Sequence, residues 1–198
     1  MGWILDAADP GDSQRRAQVQ RHLSPVNKHV YLTGFMGAGK TTVGRALAKL
    51  LGWPFVDLDS RIASEHGMTI AEIFAERGEH AFRRLESLAL QSLNDSPALV
   101  VATGGGVLSS PESRDWIRDH GTAVWLDVPY EVLLERLNAE ERGARPLFEN
   151  ESQARELFAL RHDQYGDSDL QIEVLSADSV ADVAGRIHQT LLEEKCVT

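Results

Sequence analysis

The chain has 198 residues, 42% hydrophobic and 25% charged, a composition that suits one globular domain with its own core. Its formal net charge of −10 argues against a broad nucleic-acid-binding face, so an anionic ligand must be met by a few well-placed arginines. No apolar run approaches the ~18–20 residues that cross a bilayer, MGWILDAADP lacks the basic start of a leader, and a single cysteine, Cys196, excludes an internal disulfide framework. The expectation is a cytoplasmic monomer with no membrane or nucleic-acid partner.

Residues 1–28 mix Pro, Gly, Ser, Gln and charges without a sustained apolar stripe, and read as an extension with at most a short helix over Ser13–Leu23. The domain proper is expected over residues 29–198. There, VYLT (30–33) reads as a buried strand, followed by a glycine loop and an amphipathic helix over Thr41–Leu51 that Gly52 stops. PFVDLD (54–59) is the second predicted strand. Thr69 and Glu72 form a capping box for a helix ending near Gly78, and Phe82, Leu85, Ala89 and Leu93 carry helical spacing through 80–93. Further strands are predicted at 98–103, 122–128 and 170–175, and helices at about 111–119, 130–138, 151–164 and 179–194. Strands separated by helices predict an α/β fold: three α/β/α layers around a five-stranded parallel sheet.

Gly34-Phe35-Met36-Gly37-Ala38-Gly39-Lys40-Thr41 matches G-x-x-x-x-G-K-[ST], after a buried strand and at the start of a helix. In such a phosphate loop (P-loop), glycines let several backbone N–H groups turn inward, and the helix N-terminus adds positive potential. The expected nucleotide contacts are Gly37, Ala38, Gly39, Lys40, Thr41 and Thr42. Lys40 is expected at the β- and γ-phosphates, with the Thr41 hydroxyl on Mg²⁺. A guanine-reading N-K-x-D is missing after the loop, since NKHV (27–30) precedes it. That disfavours a GTPase and leaves a small-molecule kinase using ATP and Mg²⁺.

The acceptor must then be met by residues at the C-terminal ends of the other strands. Asp57 and Asp59 stand two apart, which on a strand puts both on one side: one to position Mg²⁺ through water, the other to take a hydrogen bond from a substrate hydroxyl. An acidic turn or helix cap is the competing reading. Gly104-Gly105-Gly106 after LVVAT allows backbone to approach a ligand, or forms a plain tight turn. Arg83 lies three residues before Glu86, Arg145 precedes Pro146 in a short polar loop at 142–148 expected to be a mobile lid, and Arg161 lies on a following helix. Singly each arginine reads as solvated surface. Together they suggest a carboxylate held bidentately.

These motifs in this order resemble the shikimate kinases over roughly residues 29–189: the P-loop, D-x-D at Asp57/Asp59, F-R-x-x-E at 82–86, G-G-G at 104–106, R-P-L at 145–147 and R-x-x-x-Y at 161–165. The resemblance implies ATP-dependent phosphorylation of the shikimate 3-hydroxyl, a step towards chorismate and the aromatic amino acids. It makes Asp59 the substrate-hydroxyl ligand and base, and gives the carboxylate to Arg83 and Arg161. Gly105 supplies a backbone contact within the Gly104–Gly106 run, and Asp57 supports Mg²⁺ indirectly. Lys40 and Arg145 stabilise charge on the transferred group. The chain departs from the family pattern at Asn138, where an arginine is usual, at Phe148 after R-P-L, and at GDSD after Tyr165. Asp127 at the end of AVWLD is read as structural, and His80, His120 and His162 show no metal spacing. Two rival readings are a ligand sensor for benzoyl-CoA and a kinase for another hydroxy acid such as gluconate.

Overall fold

A computed structural model describes residues 29–136 and 151–197. The predicted helix at 13–23 and the lid segment, with Asn138, Arg142, Arg145 and Phe148, lie outside the described residues.

Five strands, β1 His29–Thr33, β2 Phe55–Asp57, β3 Val100–Ala102, β4 Gly121–Asp127 and β5 Leu170–Glu173, form one sheet in the order β2-β3-β1-β4-β5. Every pairing is parallel, with Val30 beside Val100 on one flank and Thr122 on the other. All five residues of β1 are buried, so the sheet is covered on both faces, as a near-continuous apolar run in a central parallel strand requires.

The helices are α1 Lys40–Leu51, α2 Leu58–His66, α3 Ile70–Gln91, α4 Pro111–His120, α5 Tyr130–Arg136, α6 Glu151–Tyr165 and α7 Val180–Glu193. In α1, Val43, Leu47 and Ala48 bury one stripe, and Gly52 ends the helix in the left-handed region. That stripe meets α7, whose Val183, Ala184, Ile187 and Leu191 recur with the same period. The expected capping box of α3 is present, with Glu72 Oε2 accepting from Thr69 N at 2.7 Å. Gly78, predicted as a stop, is a kink: φ 78° and ψ 170° are open to glycine, and the helix resumes beyond it. Helix α1 leaves β1 to pack on α7 and β3, while α4 leaves β3 to pack on α3 and β4. The connections from adjacent β1 and β3 therefore diverge, and a crevice opens at their C-terminal ends, where ligands of open α/β sheets bind.

The opposite end of β1 carries a pH-sensitive contact. His29 Nδ1 accepts the Leu99 N–H at 3.2 Å, which leaves Nε2 as the donor to the Leu93 carbonyl, also at 3.2 Å. Burial holds this imidazole below its ordinary pKa, and His120 adds to the effect. Protonation would put a second donor against the Leu99 N–H. The folded state therefore binds the proton less well than the unfolded chain, so stability is full above the unfolded pKa of about 6.5 and falls as pH drops below it. Denaturant unfolding between pH 7.5 and 5 is expected to show His29→Gln with a flatter profile than wild type, by at most about 1.4 kcal/mol per pH unit. Parallel profiles would remove His29 as the cause.

Candidate functional site

The glycine loop between β1 and α1 brings Lys40 to the first turn of α1, where its Nζ donates to the carbonyls of Gly34 at 2.8 Å and Phe35 at 3.0 Å. Gly37 and Gly39 take positive φ, and Ala38 packs into the core beneath the loop. Thr41 is half-buried, and its Oγ1 donates to Asp57 Oδ2 at 2.6 Å. Thr42, next in line, is exposed.

The D-x-D pair reaches the site by a different route from the one its spacing suggests. The second strand stops at Asp57 and α2 begins at Leu58, so Asp59 lies in the first helical turn rather than on a strand. Asp57 is the N-cap: its Oδ1 accepts from Ser60 N at 3.0 Å while Oδ2 takes the Thr41 hydroxyl. One carboxylate thus caps a helix and ties it to the P-loop. A hydroxyl and one carboxylate, both hard oxygen donors beside the P-loop, fit Mg²⁺, which keeps several waters and takes its remaining ligands from phosphates. Among the described residues no group of three or more His, Cys, Asp and Glu side chains could hold a metal ion.

Asp59 faces inward. Its Oδ1 is buried and has no hydrogen-bond partner among the described residues. Burial, with the Asp57 charge, raises its pKa against the opposing pull of Lys40 and Arg83. Beside it, Glu86 on α3 is fully buried, and its Oε2 accepts from Arg83 Nη1 at 2.8 Å. Glu86 Oε1 is also without a partner among the described residues. Its pKa stands above the usual carboxylate value because burial outweighs the adjacent Arg83 charge. Burial draws the Arg83 pKa down, but Glu86 and Glu79 more than offset it and leave it raised.

The three glycines after β3 make this convergence possible. A Cβ on Gly104 would sit 2.5 Å from Glu86 Oε1 and 3.0 Å from Asp59 Oδ1. A Cβ on Gly106 would collide with the Arg83 guanidinium. The run is thus a close approach between backbone and four charged side chains rather than a plain turn, because at Gly105 the added carbon would meet Arg161 Nη1 at 3.3 Å. Arg161 comes from α6, with its guanidinium 5.7 Å from the Phe35 ring centroid. Its pKa is lowered, chiefly by burial. Tyr165, one turn on, donates its hydroxyl to the Gly105 carbonyl at 2.5 Å and fixes α6 against the glycine run.

The structure therefore gathers Lys40, Asp59, Arg83, the Gly104–Gly106 run and Arg161 at one crevice beside Thr41 and Asp57. Asp127 lies apart from them: its Oδ2 accepts from Gln171 Nε2 at 2.7 Å and its Oδ1 is 3.7 Å from His162 Nε2, in keeping with a structural role. Trp125 is buried beside the rings of His162 and Tyr165, and Trp116 stacks on His120 at 3.6 Å. Two residues that the sequence did not single out belong to the site. Tyr165 entered only as part of a motif, and Glu79 carries the i,i+4 signal to Arg83, with its Oε1 3.1 Å from Arg83 Nη2.

Comparison with known proteins agrees with this geometry. The shikimate kinase family profile matches residues 36–192. A shikimate kinase from Persephonella marina is 40% identical over 164 residues, covering 81% of this chain and 99% of the relative. One from Geobacter sulfurreducens is 43% identical over 163 residues, covering 81% and 88%. Among solved structures, shikimate kinase from Acinetobacter baumannii in complex with shikimate superposes with a TM-score of 0.78 at 38% identity, covering 86% of this chain and 96% of that one. With the phosphate loop, the charged crevice beside it and these matches in agreement, the chain belongs to the shikimate kinase family.

Proposed function

We propose that this chain transfers the γ-phosphoryl group of ATP to the 3-hydroxyl of shikimate, with Asp59 as the base and Arg83 and Arg161 as the carboxylate clamp. The observation that carries the residue assignment is the buried Asp59 Oδ1. It lacks a donor among the described residues, faces Gly104, and feels the charges of Lys40 and Arg83. A substrate hydroxyl would supply that donor.

In the reaction the acceptor oxygen bonds to the γ-phosphorus, the bond from that phosphorus to the β–γ bridging oxygen breaks, and the hydroxyl proton passes to Asp59. The raised pKa of Asp59 suits it to take that proton. Lys40, released from its loop carbonyls, follows the charge on the transferring oxygens, and Arg145 is assigned the same task from the lid. Thr41 and Asp57 would hold Mg²⁺, Asp57 through water, and the ion when bound neutralises charge on the β- and γ-phosphates. Gly37, Ala38, Gly39 and Thr42 complete the nucleotide contacts, and Gly105 offers backbone to the substrate beside the carboxylate clamp. Asp59 and the two guanidiniums converge on the same glycine run, which suits an acceptor that carries both a hydroxyl and a carboxylate.

We further infer a kinase domain over residues 29–198, with 1–28 outside it, acting as a cytoplasmic monomer without nucleic-acid or membrane partners. The net charge of −10 weighs against a nucleic-acid face. Among the described residues no helix is long and apolar enough to cross a membrane. Coupled ADP release with Mg·ATP tests the activity. Shikimate-dependent turnover on the scale of about 10 s⁻¹ is expected, with none on gluconate. Binding of benzoyl-CoA without any turnover of shikimate would replace the kinase by a sensor.

A further inference from the structure

We propose that Glu79 is a specificity-determining residue of the acceptor pocket: a resident carboxylate on the outer nitrogen of Arg83 that is exchanged for the carboxylate of the substrate. The proposal rests on the reading that Arg83 and Arg161 clamp the carboxylate of the acceptor.

Arg83 is held by two carboxylates of opposite character. On Nη1 it meets Glu86, whose side chain has no exposure and cannot leave. On Nη2 it meets Glu79 at 3.1 Å, and that side chain is 66% exposed while Arg83 itself is only 15% exposed. Because its carboxylate lies in solvent at the rim, Glu79 is screened and loses little on leaving, so its exchange for an incoming carboxylate is cheap. The Arg161 pKa is pulled down by burial and by the charge of Arg83, against the opposing charges of Tyr165, Glu79 and Glu86. Two crowded, half-buried guanidiniums need anionic company when no substrate is bound, and Glu79 supplies it from the rim.

The charges set a selectivity. Lys40, Arg83 and Arg161 bring three positive charges, and Asp59, Glu86 and Glu79 bring three negative ones. Displacing Glu79 from Nη2 frees a single positive charge, which matches a monocarboxylate. A dianion would meet Glu79 still tethered one turn away on α3, with a like charge to repel it. The kink at Gly78, immediately before Glu79, makes this residue the first of the second helical segment and fixes its i,i+4 relation to Arg83.

The test is steady-state kinetics on the full chain carrying Glu79→Gln, with Glu76→Gln, an exposed carboxylate on the same helix, as the control. Glu79→Gln is expected to lower the KM for shikimate by about two- to five-fold, the scale of a released exposed ion pair. Its kcat and KM for ATP should not move. Inorganic phosphate, used as a dianion probe, is expected to compete with shikimate at lower concentration in Glu79→Gln than in wild type. An unchanged or raised KM would overturn the proposal, since a mere support for Arg83 weakens binding when removed. Equal gains in both variants would also overturn it, by showing a general surface-charge effect. Wild-type protein that does not turn over shikimate would sink the acceptor reading itself, whereas normal wild-type turnover with an unmoved Glu79→Gln sinks only the role of Glu79.

Discussion

Asp59→Asn is expected to lower kcat by about 10²- to 10⁴-fold, the usual contribution of a positioned base, while leaving ATP binding close to wild type. Asparagine keeps the shape of the side chain and a carbonyl oxygen that can still accept from a substrate hydroxyl, so the KM for shikimate should change far less than kcat. It cannot take the proton that the attacking oxygen must lose. The nucleotide loop keeps its own bonds, because Lys40 donates to the Gly34 and Phe35 carbonyls and Thr41 to Asp57. Unfolding cannot imitate the loss. Burial already disfavours the charged form of Asp59, so a neutral amide of equal size removes a cost rather than a support. Nucleotide binding by titration and ADP release by coupled assay, run on the same preparation, separate the two steps. Full turnover by the asparagine variant would mean that the acceptor sits elsewhere.

The features legible in the sequence are those that depend on neighbours in the chain. The phosphate loop needs only a strand, a glycine pattern and a helix start, all close together in sequence, and the Thr69–Glu72 box is equally local. Gly78 is legible as an interruption, but whether a helix ends or kinks there depends on what the next turn packs against, and Phe82, Glu86 and Leu90 are buried beyond it. The predicted second strand overruns into the first turn of α2 for a similar reason. Two alternating carboxylates look like a strand face, and the Ser60 N–H and Thr41 hydroxyl that make Asp57 a cap come from outside that alternation. The glycine run shows the limit best. In the sequence it is a turn or a ligand contact; its requirement for glycine comes from Glu86, Asp59 and Arg83, residues 18 to 45 positions away, crowding the same backbone. His29 offers no sequence signal at all, since its partners Leu93 and Leu99 supply only backbone atoms.

Glu86→Ala is expected to be the most destabilising single change in the site, at about 3 kcal/mol, because it strips the buried partner from Arg83 and leaves the guanidinium largely enclosed. For a domain of this size that corresponds to a fall in Tm of about 6–12 °C. Glu79 cannot take over, since it reaches only the outer nitrogen and from the solvent side. The same variant should raise the KM for shikimate, about ten-fold, as the guanidinium fork loses the anchor that orients it beside Gly106. Glu86→Gln is the discriminating companion. Its side-chain oxygen can still accept from Arg83 Nη1, and it spares the fold the burial of a carboxylate, a cost visible in the raised pKa of Glu86. The sign comes from that raised value: the contribution of Glu86 to stability is greatest below its unfolded pKa and is lost as pH rises through the folded one. At neutral pH the glutamine variant should therefore lie much nearer to wild type in Tm than the alanine variant does. Equal and small losses in both would show that Arg83 is held by something other than Glu86, and equal and large losses would show that the charge itself, rather than the hydrogen bond, keeps Arg83 in place.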